Sequence, residues 1–325
     1  MRTYKTGNRG RGRTGPALLW AGLLFLALVS SRCSAPSPDP AGPGLLRIVT
    51  TTGLLEDAVR NIVGDRAEVV ALMGPGVDPH LYKATQGDVR RLSRADIIVY
   101  NGLHLEGKMG EVLRKVSRHK TVIAAAEGLP KHRLRPLPGS PGNYDPHIWF
   151  DVLLWKDAVQ HLSEELQKRD PANRELYARH TATYTQELDQ LDAWVKQQLA
   201  RIPAAQRVLV TAHDAFGYFG EAYGIEVRGL QGISTVAEFG LRDVSTLVGF
   251  MVERRLPAIF VESSVSQRSV EAVIQGSRSR GHPIRQGGTL YSDALGAKNS
   301  PAGTYTGMVR ANVQTIVEGL LNMNE

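Results

Sequence analysis

Two short stretches, VDPHLY at residues 77–82 and YDPHIW at residues 144–149, each set a histidine directly after Asp-Pro. Proline fixes its own φ and biases the residue before it away from helix, so His80 and His147 leave stiff, extended or turning backbone. Such stiffness is wasted on a surface histidine and useful where an imidazole must be aimed. His213, in TAHDAFGYF, also has aromatic neighbours, and Asp293, in LYSDALG, follows a late strand-like run. Three neutral imidazoles and one carboxylate form a closed site for a divalent cation. Their separations of 67, 66 and 80 residues match no local metal motif such as HExxH. Spacing therefore leaves open whether each is a ligand or an ordinary hydrogen-bonded core histidine. His119, His132, His161, His180 and His282 stand among charged or helix-surface residues and read as structural.

The elements that must position these residues alternate in type. LLRIVTTT, AEVVALMG, DIIVYNG and TVIAAAEG read as strands, and LLEDAVRNIVG, QGDVRRLSRA and KMGEVLRKVSR as the helices between them. After residue 204 the pattern resumes, with strands in RVLVTAH, IEVRGLQG, PAIFVESS and HPIRQGGTLY and helices in LRDVSTLVGFMVERR, VEAVIQGSRSRG and TYTGMVRANVQTIVEGLLN. Short β-branched runs alternating with amphipathic helices predict mostly parallel sheets. In such sheets ligands bind beyond the carboxyl ends of the strands, where His80, His147 and His213 are expected at strand-to-loop or strand-to-helix junctions. Between the halves, residues 170–203 predict one long helix, capped by Asp170, opened by Pro171 and stopped by Pro203. Leu176, Tyr184, Leu188, Leu191, Val195 and Leu199 supply its apolar stripe. The expected fold class is α/β, with two lobes, each a mostly parallel sheet flanked by helices, joined by one long rigid linker helix. Such a linker favours a cleft that opens only slightly.

The formal charge of +7 is local. Residues 1–33 carry Arg2, Lys5, Arg9, Arg11, Arg13 and Arg32 and no acid; setting those six aside leaves 33 basic against 32 acidic residues. No basic footprint remains for nucleic acid. The charges precede an apolar run, Ala17 to Val29, which is short for a membrane span and has the form of a signal peptide. Cys33, the only cysteine, ends it, and the Pro/Gly/Ser-rich stretch that follows reads as a tether. The expected organisation is thus a signal peptide at 1–33, a flexible tether at 34–45, a first α/β lobe at 46–169, the linker helix at 170–203 and a second α/β lobe at 204–325. With no cysteine in the folded part, disulfides and thiolate metal sites are excluded there.

The segments MGPGVDPHLY, ADIIVYNGLHLE, DPHIWFDV, VTAHDAFGYFGEAYGIEVRGLQGIST and LPAIFVESS resemble, in this order, the metal-specific solute-binding proteins of bacterial ABC importers, of the TroA-like zinc/manganese type. The resemblance runs from about Leu46 to the C-terminus and implies two α/β lobes bridged by a rigid helix. It implies that His80, His147, His213 and Asp293 hold the transported ion, Zn2+ or Mn2+ with Fe2+ as a further candidate. It also implies acylation at Cys33, a lipoprotein exported to the periplasm or the outer face of the cytoplasmic membrane, and partners in a separate permease and ATPase. A monomer is expected, with no membrane association beyond the lipid anchor. Glu262, in FVESS, ends a buried strand and is expected to orient a ligand histidine through its other ring nitrogen; His104, in NGLHLE, is a second candidate for such an outer role.

Two departures bear on the ion. Zinc-dedicated members usually carry a His- and acid-rich loop ahead of the second ligand, whereas GLPKHRLRPLPGSPGNY here is basic and nearly histidine-free. Manganese-dedicated members more often have Glu at the third ligand position, where this chain has His213. Because binding needs deprotonated imidazoles, affinity is expected to fall as pH drops through about 6 to 7. The rival functions are a surface adhesin, for which no distinct motif is present, and a metallohydrolase, which needs an open coordination position and a general base such as Asp214.

Overall fold

The computed structural model describes residues 45–236 and 239–321. The signal peptide, Cys33 and all of the tether except its last residue lie outside the described residues. The first half runs β1 (Leu46–Thr50), α1 (Gly53–Val63), β2 (Ala67–Ala71), α2 (Gln86–Arg94), β3 (Ile97–Tyr100), α3 (Gly110–Val116) and β4 (Thr121–Ala124), then the helices α4 (Val152–Arg169) and α5 (Arg174–Leu199). The second half runs β5 (Val208–His213), α6 (Gly217–Tyr223), β6 (Glu226–Gln231), α7 (Leu241–Glu253), β7 (Ala258–Glu262), α8 (Arg268–Ser279), β8 (Arg285–Leu290) and α9 (Tyr305–Leu321).

The strands form two four-stranded sheets with orders β2-β1-β3-β4 and β6-β5-β7-β8, every pairing parallel. The β-branched runs earn this placement, since β5 and β7 are buried along their whole length, as strands covered on both faces must be. Caps fix where helices begin. Thr52 Oγ1 accepts the Leu55 N–H, Thr85 and Asp88 form a capping box at α2, and Asp151 accepts the Leu153 and Leu154 N–H groups at α4.

Helix α4 is an element that motif-by-motif reading leaves unplaced. Its signal is present in the buried Trp155, Ala158, Val159, Leu162 and Leu166, a helical period, with Asp151 ahead as cap. The linker helix is shorter than 170–203 and starts differently. One 3-10 turn, Pro171–Asn173, precedes it, and the Asp170 carboxylate accepts from Tyr177 Oη (2.6 Å) and Asn173 Nδ2 (2.8 Å) instead of capping the first turn. Its stripe begins at buried Tyr177, while Leu176 is half-buried. The 26 residues of α5 span about 39 Å. They pack on α4 and α1 from the first lobe and on α9 and α6 from the second. A single apolar cluster therefore runs through the middle, from Ile48 and Trp155 to Leu188, Tyr305 and Ile316. Among the described residues no helix is long and apolar enough to cross a membrane.

Candidate metal centre

The carboxyl ends of the two sheets supply the site. His213 is the last residue of β5, Glu262 the last of β7, and Asp293 lies three residues past β8. His80 sits in the loop after β2, nine residues beyond its end. His147 is not on a strand junction, contrary to expectation; it opens a 3-10 turn, Ile148–Phe150, that leads into α4. Each Asp-Pro-His works as a turn in which the aspartate holds the histidine's own amide. Asp78 Oδ1 accepts the His80 N–H at 2.8 Å and Asp145 Oδ1 the His147 N–H at 3.0 Å. The prolines stiffen the backbone, and the aspartates close it.

His80, His147, His213 and Asp293 are all buried, and each offers one donor atom such that the four atoms lie within 4.8 Å of one another. Donors about 2.1 Å from a common ion in tetrahedral directions stand about 3.4 Å apart. His80 Nε2 is 3.3 Å from His147 Nε2, His147 Nε2 is 3.4 Å from Asp293 Oδ1, and His213 Nε2 is 3.5 Å from Asp293 Oδ2. Asp293 thus turns one oxygen to each of two imidazoles. His213 Nε2 and Asp293 Oδ1 have no hydrogen-bond partner although buried. Leaving such atoms unpaired costs about 1–3 kcal/mol each, and a cation between them removes that cost.

Carboxylates outside the cluster lie against the other ring nitrogens of His147 and His213. Asp145 Oδ1 lies 2.7 Å from His147 Nδ1. Glu262 Oε1 accepts the His213 N–H at 2.8 Å, and Oε2 lies 2.5 Å from His213 Nδ1, in contact but out of line for a hydrogen bond. Both arrangements leave Nε2 facing the centre. Burial drives the His80 pKa down to about 4, helped by the neighbouring rings. Burial pushes the same way at His147, but Asp145 and Asp293 override it and raise that pKa to about 9. At His213, Glu262 and Asp293 likewise override burial and raise the pKa well above the usual value. Asp293, despite burial, is held well below the usual carboxylate range by His213 and His147. Arg135 Nη1 lies 2.6 Å from the buried Asp145 carboxylate.

Glu262 therefore sits where the sequence suggested. His104 does not; it is exposed, at φ +64°, on the rim of a cavity of about 330 Å³ that it shares with His80. In NGLHLE the work falls to Asn101 and Glu106. The fully buried Glu106 carboxylate accepts from Thr51 Oγ1 and the Asn101 N–H, each at 2.7 Å, and Asn101 Nδ2 donates to the Pro146 carbonyl at 3.0 Å, next to His147. Asp145 is the first residue of its motif, and its contact with the ring nitrogen depends on a fold-back that the motif alone does not encode. Asp214 is only partly buried and no hydrogen bond joins its side chain to the cluster.

Residues 48–319 match the family model described as ZnuA, zinc-uptake complex component A, periplasmic. The chain is 45% identical over 302 residues to the manganese-binding lipoprotein MntA of Bacillus subtilis, covering 93% of this chain and 98% of that protein. It is 48% identical over 284 residues to the zinc-binding protein TroA of Treponema pallidum, covering 87% and 92%. The solved structure of that periplasmic zinc-binding protein superposes with a TM-score of 0.83 over 85% of this chain and 99% of its own. The manganese ABC transporter substrate-binding lipoprotein PsaA of Streptococcus pneumoniae is 31% identical over 306 residues, covering 91% and 96%.

Proposed function

The chain belongs to the ZnuA family of zinc-uptake complex component A proteins, and from that premise we propose that it is the extracytoplasmic solute-binding protein of an ABC importer. It captures a divalent transition metal between its lobes, zinc or manganese with iron(II) as a third candidate, and hands it to a permease driven by a separate ATPase. We read residues 46–169 and 204–325 as the two capturing lobes and 170–203 as the strut between them. The family is one of transport solute-binding proteins and not of enzymes.

One observation carries the assignment of His80, His147, His213 and Asp293 as ligands: four buried donors, two from each half, within 4.8 Å of one another. The orphaned His213 Nε2 and Asp293 Oδ1 support it. Imidazole favours zinc and carboxylate favours manganese, so this donor set accepts both, and zinc binds more tightly by the usual divalent order. The transported ion then follows supply and which closed form the permease accepts. The protein acts as a monomer, held at the membrane surface by an acyl chain on Cys33.

Elemental analysis of purified wild type, His80→Ala and His147→Ala proteins tests the site. One ion per wild-type chain and little in either variant is expected. Near-stoichiometric metal in both variants would refute the assignment. Measured cellular uptake of manganese, zinc and iron, with and without the protein, identifies the cargo and separates import from adhesion.

A further inference from the structure

The segment in which zinc-dedicated relatives are expected to carry a histidine-rich loop does something else here. Residues 135–145 fold back on themselves, with the Asp145 N–H donating to the Arg135 carbonyl at 2.9 Å and the Leu137 N–H to the Asn143 carbonyl at 2.9 Å. The closed loop leaves the Arg135 side chain between the lobes. Its Nη1 donates to Asp145 Oδ2 at 2.6 Å, the carboxylate whose other oxygen holds His147 Nδ1. Its Nε donates to Glu221 Oε1 on α6 of the second lobe at 2.7 Å. The Arg135 N–H donates to Tyr218 Oη, and that hydroxyl donates to the Asp145 carbonyl, both at 3.0 Å. The guanidinium also lies 5.7 Å from the centre of the Tyr218 ring.

The second lobe is shaped for this side chain. A Cβ on Gly217, at the start of α6, would fall 1.3 Å from Arg135 Nη1. Only glycine lets the guanidinium pass that close to the α6 backbone. A partly buried arginine with two carboxylate partners, a tyrosine hydroxyl on its own amide and a glycine cleared for it is more than a surface ion pair.

We propose that Arg135 is a positioning residue for metal capture, acting through Asp145 to hold the His147 ring in line while α6 of the second lobe holds Arg135. This rests on His147 being a ligand, as argued above. Asp145 has two oxygens, one for Arg135 and one for the ring. A carboxylate pinned on one side keeps the other oxygen on Nδ1, and so keeps Nε2 on the ion. Because the groups that hold Arg135, Glu221 and Tyr218, lie across the cleft, its grip on Asp145 is complete only when the lobes are together.

The test uses metal-free full-length folded protein and Co2+ as a spectroscopic probe, with wild type, Arg135→Met, Arg135→Lys, Gly217→Ala and His147→Ala. Arg135→Met is expected to bind one Co2+ about 10- to 100-fold more weakly, the usual effect of losing a group behind a ligand. Its visible d–d bands are expected to shift, with Arg135→Lys restoring part of both. Gly217→Ala keeps the arginine but displaces it, and is expected to reproduce the weakening; it carries the test if Arg135→Met does not fold. Wild-type affinity and bands in Arg135→Met, with binding lost in His147→Ala, overturn this proposal alone. A lowered melting temperature with affinity and bands unchanged also overturns it, since Arg135 would then be only a strut. Full binding by His147→Ala overturns the ligand assignment, and this inference with it.

Discussion

Asp293 is the only anionic donor among the four residues at the centre, and both its oxygens face imidazoles. Carboxylate matters more to manganese than to zinc, which the three imidazoles suit by themselves. Asp293→Asn is therefore expected to weaken Mn2+ binding more than Zn2+ binding, by about tenfold or more in the ratio of affinities; competition titration of the two ions measures it, and equal losses would contradict the role of the charge. The rings set the response to pH. Ordinary histidine values place the loss of affinity near pH 6 to 7, but His147, raised from 6.5 to about 9, moves it upward. The sign follows from that shift. A histidine whose folded pKa is raised stabilises the metal-free protein fully below about 6.5, and this is lost as pH rises through about 9. An ion held as proposed at Nε2 needs the neutral ring, so it would have to expel that proton, and the His213 pKa is raised in the same direction. His80, lowered to about 4, is already neutral throughout this range and releases nothing. Between pH 6.5 and 9 the melting temperature of the metal-free protein is expected to fall while the gain on adding Zn2+ grows. Scanning calorimetry across that range checks both slopes, and a metal-induced gain independent of pH would refute the coupling.

At the scale of elements, α5 decides whether the halves behave as one body. Leu188 is fully buried near its middle, among partners from both halves. Leu188→Ala is expected to cost about 2–5 kcal/mol, read by denaturant unfolding, and to lower one shared transition; two separate transitions would show that the lobes melt independently. The strands beside this helix were legible because buried parallel strands read as continuous β-branched runs, as in RIVT and AIFVE. The four central donors were legible through the motifs around them, and Glu262 through its position at the end of such a run. Helix α4 is written in its own apolar period, just after the histidine motif. The start of α5 differs from expectation because the Asp170 carboxylate accepts from the Tyr177 hydroxyl, seven residues on, and from Asn173 instead of capping the first turn. His104 looked chemical by residue type, whereas its exposed, left-handed backbone hands the positioning to Asn101 and Glu106. The partners of Arg135 lie as far as 86 residues away in sequence, a pairing no local pattern encodes.

For the whole molecule, capture requires the carboxyl ends of two sheets to face one another across a cleft, and the contacts spanning that cleft set how easily the ion leaves. Lys298 with Glu56 joins an exposed ammonium to a buried carboxylate oxygen that Arg60 already holds, and contributes little. Trp149 Nε1 donating to the Ser292 carbonyl at 2.9 Å lies deep and holds the floor of the site. Nearer the opening, Thr235 Oγ1 donates to Asp78 Oδ2 at 2.6 Å, while the other oxygen of Asp78 holds the His80 amide. Thr235 stands beside Ser234 and Val236, which border the cavity next to His80. Parting the lobes on this side must break that bond before His80 can let go. A hydrogen bond to a charged group contributes about 1.5–3 kcal/mol, and each 1.4 kcal/mol is about tenfold in rate or affinity. Thr235→Val preserves shape and removes only the donor. It is expected to speed Zn2+ dissociation about tenfold, with association nearly unchanged and the Co2+ bands unshifted, because all four donors are intact. Stopped-flow release into an excess of chelator measures this rate. Release at the wild-type rate would mean that the lobes part elsewhere, and that the Asp78–Thr235 contact is made only after the ion is held.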